Sequence, residues 1–117
     1  MNAVGYDVAI PGNHEFDYGV DRFLELSQKA DYPYISCNFR KNKELLFEPY
    51  TIIEKAGKKI GFVGVTTPLT ITSSTLKYFK NEQGEFIYDL NMHHVLFRVN
   101  SAGLCRCRGC RMKYILI

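Results

Sequence analysis

Asn13, His14 and Asp17 are the residues of this chain whose types and spacing could do chemistry. A neutral amide oxygen such as that of Asn13 suits a divalent cation. The imidazole of His14 can accept, donate or carry a proton near neutral pH. Asp17 follows three residues later and can orient that ring, as a carboxylate does in other catalytic pairs. All three lie in one run, Gly12-Asn13-His14-Glu15-Phe16-Asp17-Tyr18-Gly19.

The flanking sequence says what must hold this run in place. Met1 to Val4 reads as the last turn of a helix closed by Gly5. Asp7 to Ile10 reads as a short buried strand, and Pro11-Gly12 as the turn that leaves it. From Gly19 the pattern becomes helical, with Val20, Phe23, Leu24, Leu26 and Ala30 at mostly three- and four-residue spacings. Pro33 ends that helix, and Tyr34 to Cys37 is the next strand. A strand, loop, helix and strand in this order imply parallel neighbouring strands and a right-handed crossover. Phe39 to Leu46 is charged and irregular. Tyr50 to Lys55 and Lys59 to Val65 read as a hairpin joined around Ala56-Gly57-Lys58. Apolar Ile60, Phe62, Val63 and Val65 around two glycines suggest a second strand buried on both faces. Beyond Thr70, Ser73 to Tyr78 suggests a short helix, Asn81 to Gly84 a turn and Phe86 to Tyr88 a strand.

The run at 12–19 resembles the signature of the calcineurin-like metallophosphoesterases. Its extended form is most like the 5′-nucleotidase and UDP-sugar hydrolase branch. The resemblance covers roughly residues 1–90, because the strand ending Ser36-Cys37-Asn38 and the stretch Ile60 to Pro68 also fall where that family has similar ones. It implies an α/β fold, part of a sandwich of two β-sheets flanked by helices. It also implies hydrolysis of a phosphate monoester or anhydride, most readily of a nucleotide. In such enzymes two divalent metals, zinc, manganese or similar, sit about 3.5–4 Å apart and activate a shared water. By resemblance, Asn13 would ligate the second metal and His14 would hydrogen-bond a phosphoryl oxygen or the leaving group. Asp17 would accept the other ring N–H of His14. Gly12 would let the backbone pass close to the metals, and Gly19 would help start the next helix.

The family pattern has further blocks, Asp-x-His and Gly-Asp before this one, then a lone His and Gly-His-x-His after it. None is found in these residues, so the earlier two are expected upstream of Met1 and the later two beyond residue 117. The 1–91 region therefore reads as a fragment of a catalytic domain that is inactive alone and binds no metal stably. A different class stays open: a non-catalytic α/β binding or interaction module that keeps a nucleotidase-like loop.

Composition narrows the alternatives. The chain has 117 residues, 46% apolar and 23% charged, with net charge +3. That suits one globular domain of modest size. Five of the basic residues, Arg98, Arg106, Arg108, Arg111 and Lys113, fall in the last twenty, so the body is near neutral. Nucleic-acid binding is not expected without a denser basic stripe. Arg40-Lys41 and Lys58-Lys59 read as solvated charges, and Cys37 as a small buried hydrophobe. No stretch approaches the roughly 20 apolar residues of a membrane span. The first residues show no charged start followed by an apolar core, so they do not read as a secretory signal.

Residues 92–117 differ in character and read as a frameshifted or disordered tail. Cys105-Arg106-Cys107-Arg108-Gly109-Cys110 can be encoded TGC CGC TGC CGA GGC TGC. One base later the same DNA encodes Ala-Ala-Ala-Glu-Ala, which suits the helix that relatives would have here. The rival is a zinc site from Cys105, Cys107, Cys110, His93 and His94, but zinc sites usually take paired Cys-x-x-Cys knuckles. Exposed strand edges in the body would favour self-association.

Overall fold

The computed structural model describes residues 1–90 and Met92, and the backbone of 97–99, 104–107 and 113–115. The architecture is mixed α/β, with small antiparallel sheets and short helices around an aromatic core.

A 3₁₀ turn over Asn2–Val4 closes at Gly5. The chain then extends, and Ala9 forms a single parallel bridge to Tyr34. The expected strand at 7–10 is thus one residue of pairing, and it is not buried: Ile10 is exposed and Val8 half-exposed. Prolines explain the short ladder. Pro33 has no N–H to offer and contributes only its carbonyl, to Ala9 N at 3.0 Å. Ile35 N then donates to Ala9 O at 2.9 Å, Ser36 N to Glu48 O at 3.0 Å and Cys37 N to Gly64 O at 2.8 Å. The parallel relation expected across the first helix is present, as narrow stitching between extended segments.

Gly64 sits where this stitching is tightest. A Cβ there would fall 2.2 Å from the Ile35 carbonyl oxygen. Beside it lies a sealed polar network. Asn38 Nδ2 donates to Thr66 O at 2.7 Å, and Asn38 Oδ1 accepts from Thr66 N at 2.9 Å and from Ser36 Oγ at 3.2 Å. Ser36 Oγ also lies 3.1 Å from Thr66 Oγ1. All three residues are buried. Cys37, between them, is half-buried.

The helix α1 runs Val20–Ser27, shorter than the sequence pattern suggested. Its buried residues are Val20 and Phe23, while Leu26 points to solvent. Ser27 Oγ donates to Leu24 O at 2.8 Å, and turns at Lys29 and Ala30 finish the segment. The charged stretch after Asn38 is not irregular. Phe39–Lys41 (β1) and Glu44–Leu45 (β2) form a hairpin whose two linking residues, Asn42 and Lys43, both have positive φ. That is the twist a two-residue hairpin needs, supplied here without glycine.

The second hairpin was legible. Tyr50–Lys55 (β3) pairs with Lys58–Val63 (β4), from Tyr50 opposite Val63 to Lys55 opposite Lys58. Ala56 and Gly57 make the turn, both at positive φ. β4 is not buried on both faces, because its sheet has two strands: Lys58 and Lys59 are exposed and Ile60 to Val63 half-buried.

Leu69–Ser73 is a short helix, α2, followed by a 3₁₀ turn over Leu76–Phe79. The turn at 81–84 is as expected, held by Asn81 Oδ1 accepting from Glu85 N at 2.8 Å. Tyr88–Leu90 (β5) then pairs antiparallel with β1. Phe97–Val99 (β6), Leu104–Cys107 (β7) and Lys113–Ile115 (β8) form a third small antiparallel sheet. The side chains of His93, His94, Cys105, Cys107 and Cys110, named above as a zinc alternative, lie outside the described residues.

The core is Phe16, Val20, Phe23, Phe39, Phe79, Tyr88 and Leu90. Phe16 is at its centre. It meets Phe23, Phe39 and Phe79 edge-on, with ring centroids 5.3, 5.2 and 5.4 Å away. Such edge-to-face pairs are worth about 0.5–1.5 kcal/mol each beyond the area they bury.

Candidate active site

The run at 12–19 folds as a 3₁₀ turn, His14–Phe16, between Asn13 and Asp17. Phe16 N donates to Asn13 O at 3.2 Å and Asp17 N to His14 O at 3.3 Å. A tight turn of this kind brings residues three apart onto one side. His14 and Asp17 meet there: Nδ1 of the ring lies 3.0 Å from Asp17 Oδ2. Both are open to solvent, with side-chain exposures of 82% and 50%. Bonding through Nδ1 leaves Nε2 on the exposed ring as the nitrogen that an incoming ligand can meet.

The turn is fixed from below and from the sides. Phe16 is the one fully buried side chain of the run and anchors it in the aromatic core. Glu15 turns back, its Oε2 accepting from Gly12 N at 2.8 Å. A Cβ at Gly12 would lie 3.1 Å from that carboxylate oxygen, so the absent side chain leaves room for Glu15. Gly19 begins α1 at φ 98°, a region that favours glycine, and a Cβ there would touch the Tyr78 ring at 3.4 Å. Ser74 Oγ donates to Asn13 O at 2.8 Å, across 61 residues of sequence.

Sequence reasoning picked out Asn13, His14 and Asp17 but not these supports. Phe16 carried a signal, since a phenylalanine inside a polar loop needs somewhere to go. Ser74 carried none, because nothing in the sequence ties it to residue 13.

Asn13 is half-buried and its side chain makes no capping bond to the turn, so its amide oxygen is not spent on the backbone. Its chemistry suits a hard divalent cation, but one amide oxygen is a small part of a metal centre. Among the described residues, no group of three or more His, Cys, Asp or Glu side chains could hold a metal ion. By themselves the described residues do not fit a two-metal centre. No helix among them is long and apolar enough to cross a membrane.

No protein-family model matches the chain. Individual proteins do. Over 81 residues it is 37% identical to Protein UshA of Yersinia enterocolitica, an alignment covering 68% of this chain and 15% of that protein. Over 92 residues it is 35% identical to the 5′-nucleotidase of Bos taurus, covering 70% and 16%. Among solved structures, the calcineurin-like phosphoesterase YfkN from Bacillus subtilis superposes with TM-score 0.59 at 30% identity, over 77% of this chain and 28% of that one. A putative 5′-nucleotidase from Staphylococcus aureus shares the fold, with TM-score 0.63 at 20% identity over 80% of this chain and 17% of that one. The chain thus spans about a sixth of the length of these curated relatives. Both a bacterial and a mammalian protein match more than two thirds of the chain, and a phosphoesterase fold accommodates it. The chain belongs to the calcineurin-like metallophosphoesterases, in their 5′-nucleotidase branch.

Proposed function

We propose that residues 12–19 are the phosphoryl-contacting loop of a metal-dependent phosphohydrolase whose substrate is a nucleotide or a similar small phosphate ester. His14 offers its exposed ring to a phosphoryl oxygen or to the leaving group. Asp17 holds the ring in orientation. Asn13 supplies one ligand to a divalent metal, zinc, manganese or similar, in a complete domain. The 117 residues by themselves do not turn over substrate, since among the described residues one amide oxygen is the sole ligand this loop offers, and it holds no metal with useful affinity. The observation that carries the reading is the 3.0 Å contact between Asp17 Oδ2 and His14 Nδ1 on a ring left 82% exposed. The relatives named 5′-nucleotidase support the nucleotide assignment.

The experiment is a set of substitutions carried into a complete relative. His14→Ala should lower turnover about 10²–10³-fold while metal content holds, the usual effect of removing one preorganised transition-state donor. Asn13→Ala should lower metal content first. If His14→Ala lost metal while Asn13→Ala kept it, the roles would be reversed. The chain alone, given manganese, zinc or cobalt and a generic phosphomonoester, should stay at background. Turnover that survives purification and vanishes in His14→Ala would overturn that part.

A further inference from the structure

We infer that Ser74 is a positioning residue for His14, the key contact of a short segment that shapes the 12–19 loop. The inference rests on the reading of that loop as the phosphoryl-contacting site. Residues 69–80 touch the loop at its entry, its middle and its exit. Ser74 Oγ donates to Asn13 O at 2.8 Å. Phe79 meets Phe16 with ring centroids 5.4 Å apart. The Tyr78 ring fills the space beside Gly19.

The Ser74 contact has the most leverage. The Asn13 carbonyl belongs to the rigid peptide plane that ends at the His14 Cα. Fixing that oxygen fixes the plane from which the His14 side chain departs. The same oxygen accepts from Phe16 N at 3.2 Å, so the serine hydroxyl shares the carbonyl that closes the turn. The bond is partly buried, which limits competition from water. Ser74 is itself held, because its N–H donates to Thr70 O at 3.0 Å at the end of α2. Its hydroxyl therefore reaches the loop from a fixed base. Ser74 does not touch substrate; it acts through His14.

The test is the tautomer of His14 in the full chain, read from its ring nitrogen and carbon shifts by NMR. In the parent chain the neutral ring is expected to carry its proton on Nδ1, where Asp17 Oδ2 at 3.0 Å can accept it. Ser74→Ala should move the Nδ1–H to Nε2–H ratio by up to about fivefold toward the ratio in Asp17→Asn, the equivalent of one net hydrogen bond. Ser74→Thr, which keeps the hydroxyl, should restore the parent ratio. Thr72→Ala serves as the control. Its hydroxyl bonds within its own turn, to Leu69 O at 2.9 Å, so the variant should leave the ratio unchanged. If Ser74→Ala does not fold, Ser74→Cys, nearly the same size but a weak donor, gives the same reading. Ring shifts unchanged in a folded Ser74→Ala or Ser74→Cys would make Ser74 a packing residue only and overturn the inference. That result would leave the His14 assignment standing, since turnover in a complete relative tests it separately.

Discussion

Two polar clusters face opposite fates in this molecule. Ser36, Asn38 and Thr66 are buried, and their hydroxyl and amide groups bond one another or the backbone. His14 and Asp17 are exposed and bond once, leaving hydrogen-bonding capacity over. A closed network can add little to chemistry, because each donor already has its acceptor. An open pair adds little to stability, because water competes for both partners. The difference separates what holds this chain together from what is left to meet a ligand. Phe16 joins the two, since it lies two residues from His14 and yet is fully buried.

The largest expected effect falls on that joint. Phe16→Ala should lower unfolding stability by about 3–5 kcal/mol, the usual cost of a core phenylalanine. Denaturant titration would measure it, and a loss near zero would mean the open pair does not depend on the core. Next comes the closed network. Asn38→Leu would leave Thr66 N and O without partners and the Ser36 hydroxyl with only Thr66 Oγ1, a loss of about 3 kcal/mol where buried groups go unsatisfied. A near-neutral result would show that water reaches the site.

A pH experiment sharpens the comparison further. Burial pushes the Tyr88 hydroxyl above its ordinary range, and its 2.8 Å bond to Asp21 Oδ1 pushes the same way, while the nearby Lys41 ammonium opposes both. The folded state therefore favours the protonated phenol. Its contribution is complete below the unfolded phenol pKa, about 10, and is lost as pH rises from there toward the folded value. Melting temperature should fall from pH 9 to pH 11, and Tyr88→Phe should flatten that fall. An equal slope in both proteins would place the sensitive group elsewhere. The smallest effect belongs to the open pair. Asp17→Asn should change stability by less than about 1 kcal/mol, and thermal melts would check it. A larger loss would mean that the pair is structural after all.

What was legible in the sequence was local. Gly19 before a run of helical spacings marked α1, and Ala56-Gly57 marked the β3–β4 turn. The spacing of His14 and Asp17 suggested that they could meet, because three residues is the reach of one turn. What escaped was held by distant partners or by unusual turn chemistry. The β1–β2 hairpin turns on Asn42-Lys43, a pair without glycine, in a stretch whose charges read as solvated loop. β5 joins that sheet from nearly fifty residues away. The apolar runs at 8–10 and 60–65 suggested full burial, but narrow stitching and a two-stranded sheet leave them partly open. Ser74 and Tyr78 reach the loop from more than fifty residues downstream, a distance no local pattern encodes.

The tight passage at Gly64 bears on how this sequence can drift. Every amino acid one base change away from a glycine codon carries a Cβ, and that atom would have to overlap the Ile35 carbonyl at 2.2 Å. The obstacle is main chain, so no neighbouring side chain can swing aside to admit it. At Gly57 a Cβ would meet nothing within 4 Å, and only the turn's positive φ resists replacement. Codon 64 therefore has no viable neighbour that changes the amino acid while the fold persists. A saturation library at that position should return glycine alone from any selection for folded protein, whereas codon 57 should return asparagine and aspartate as well.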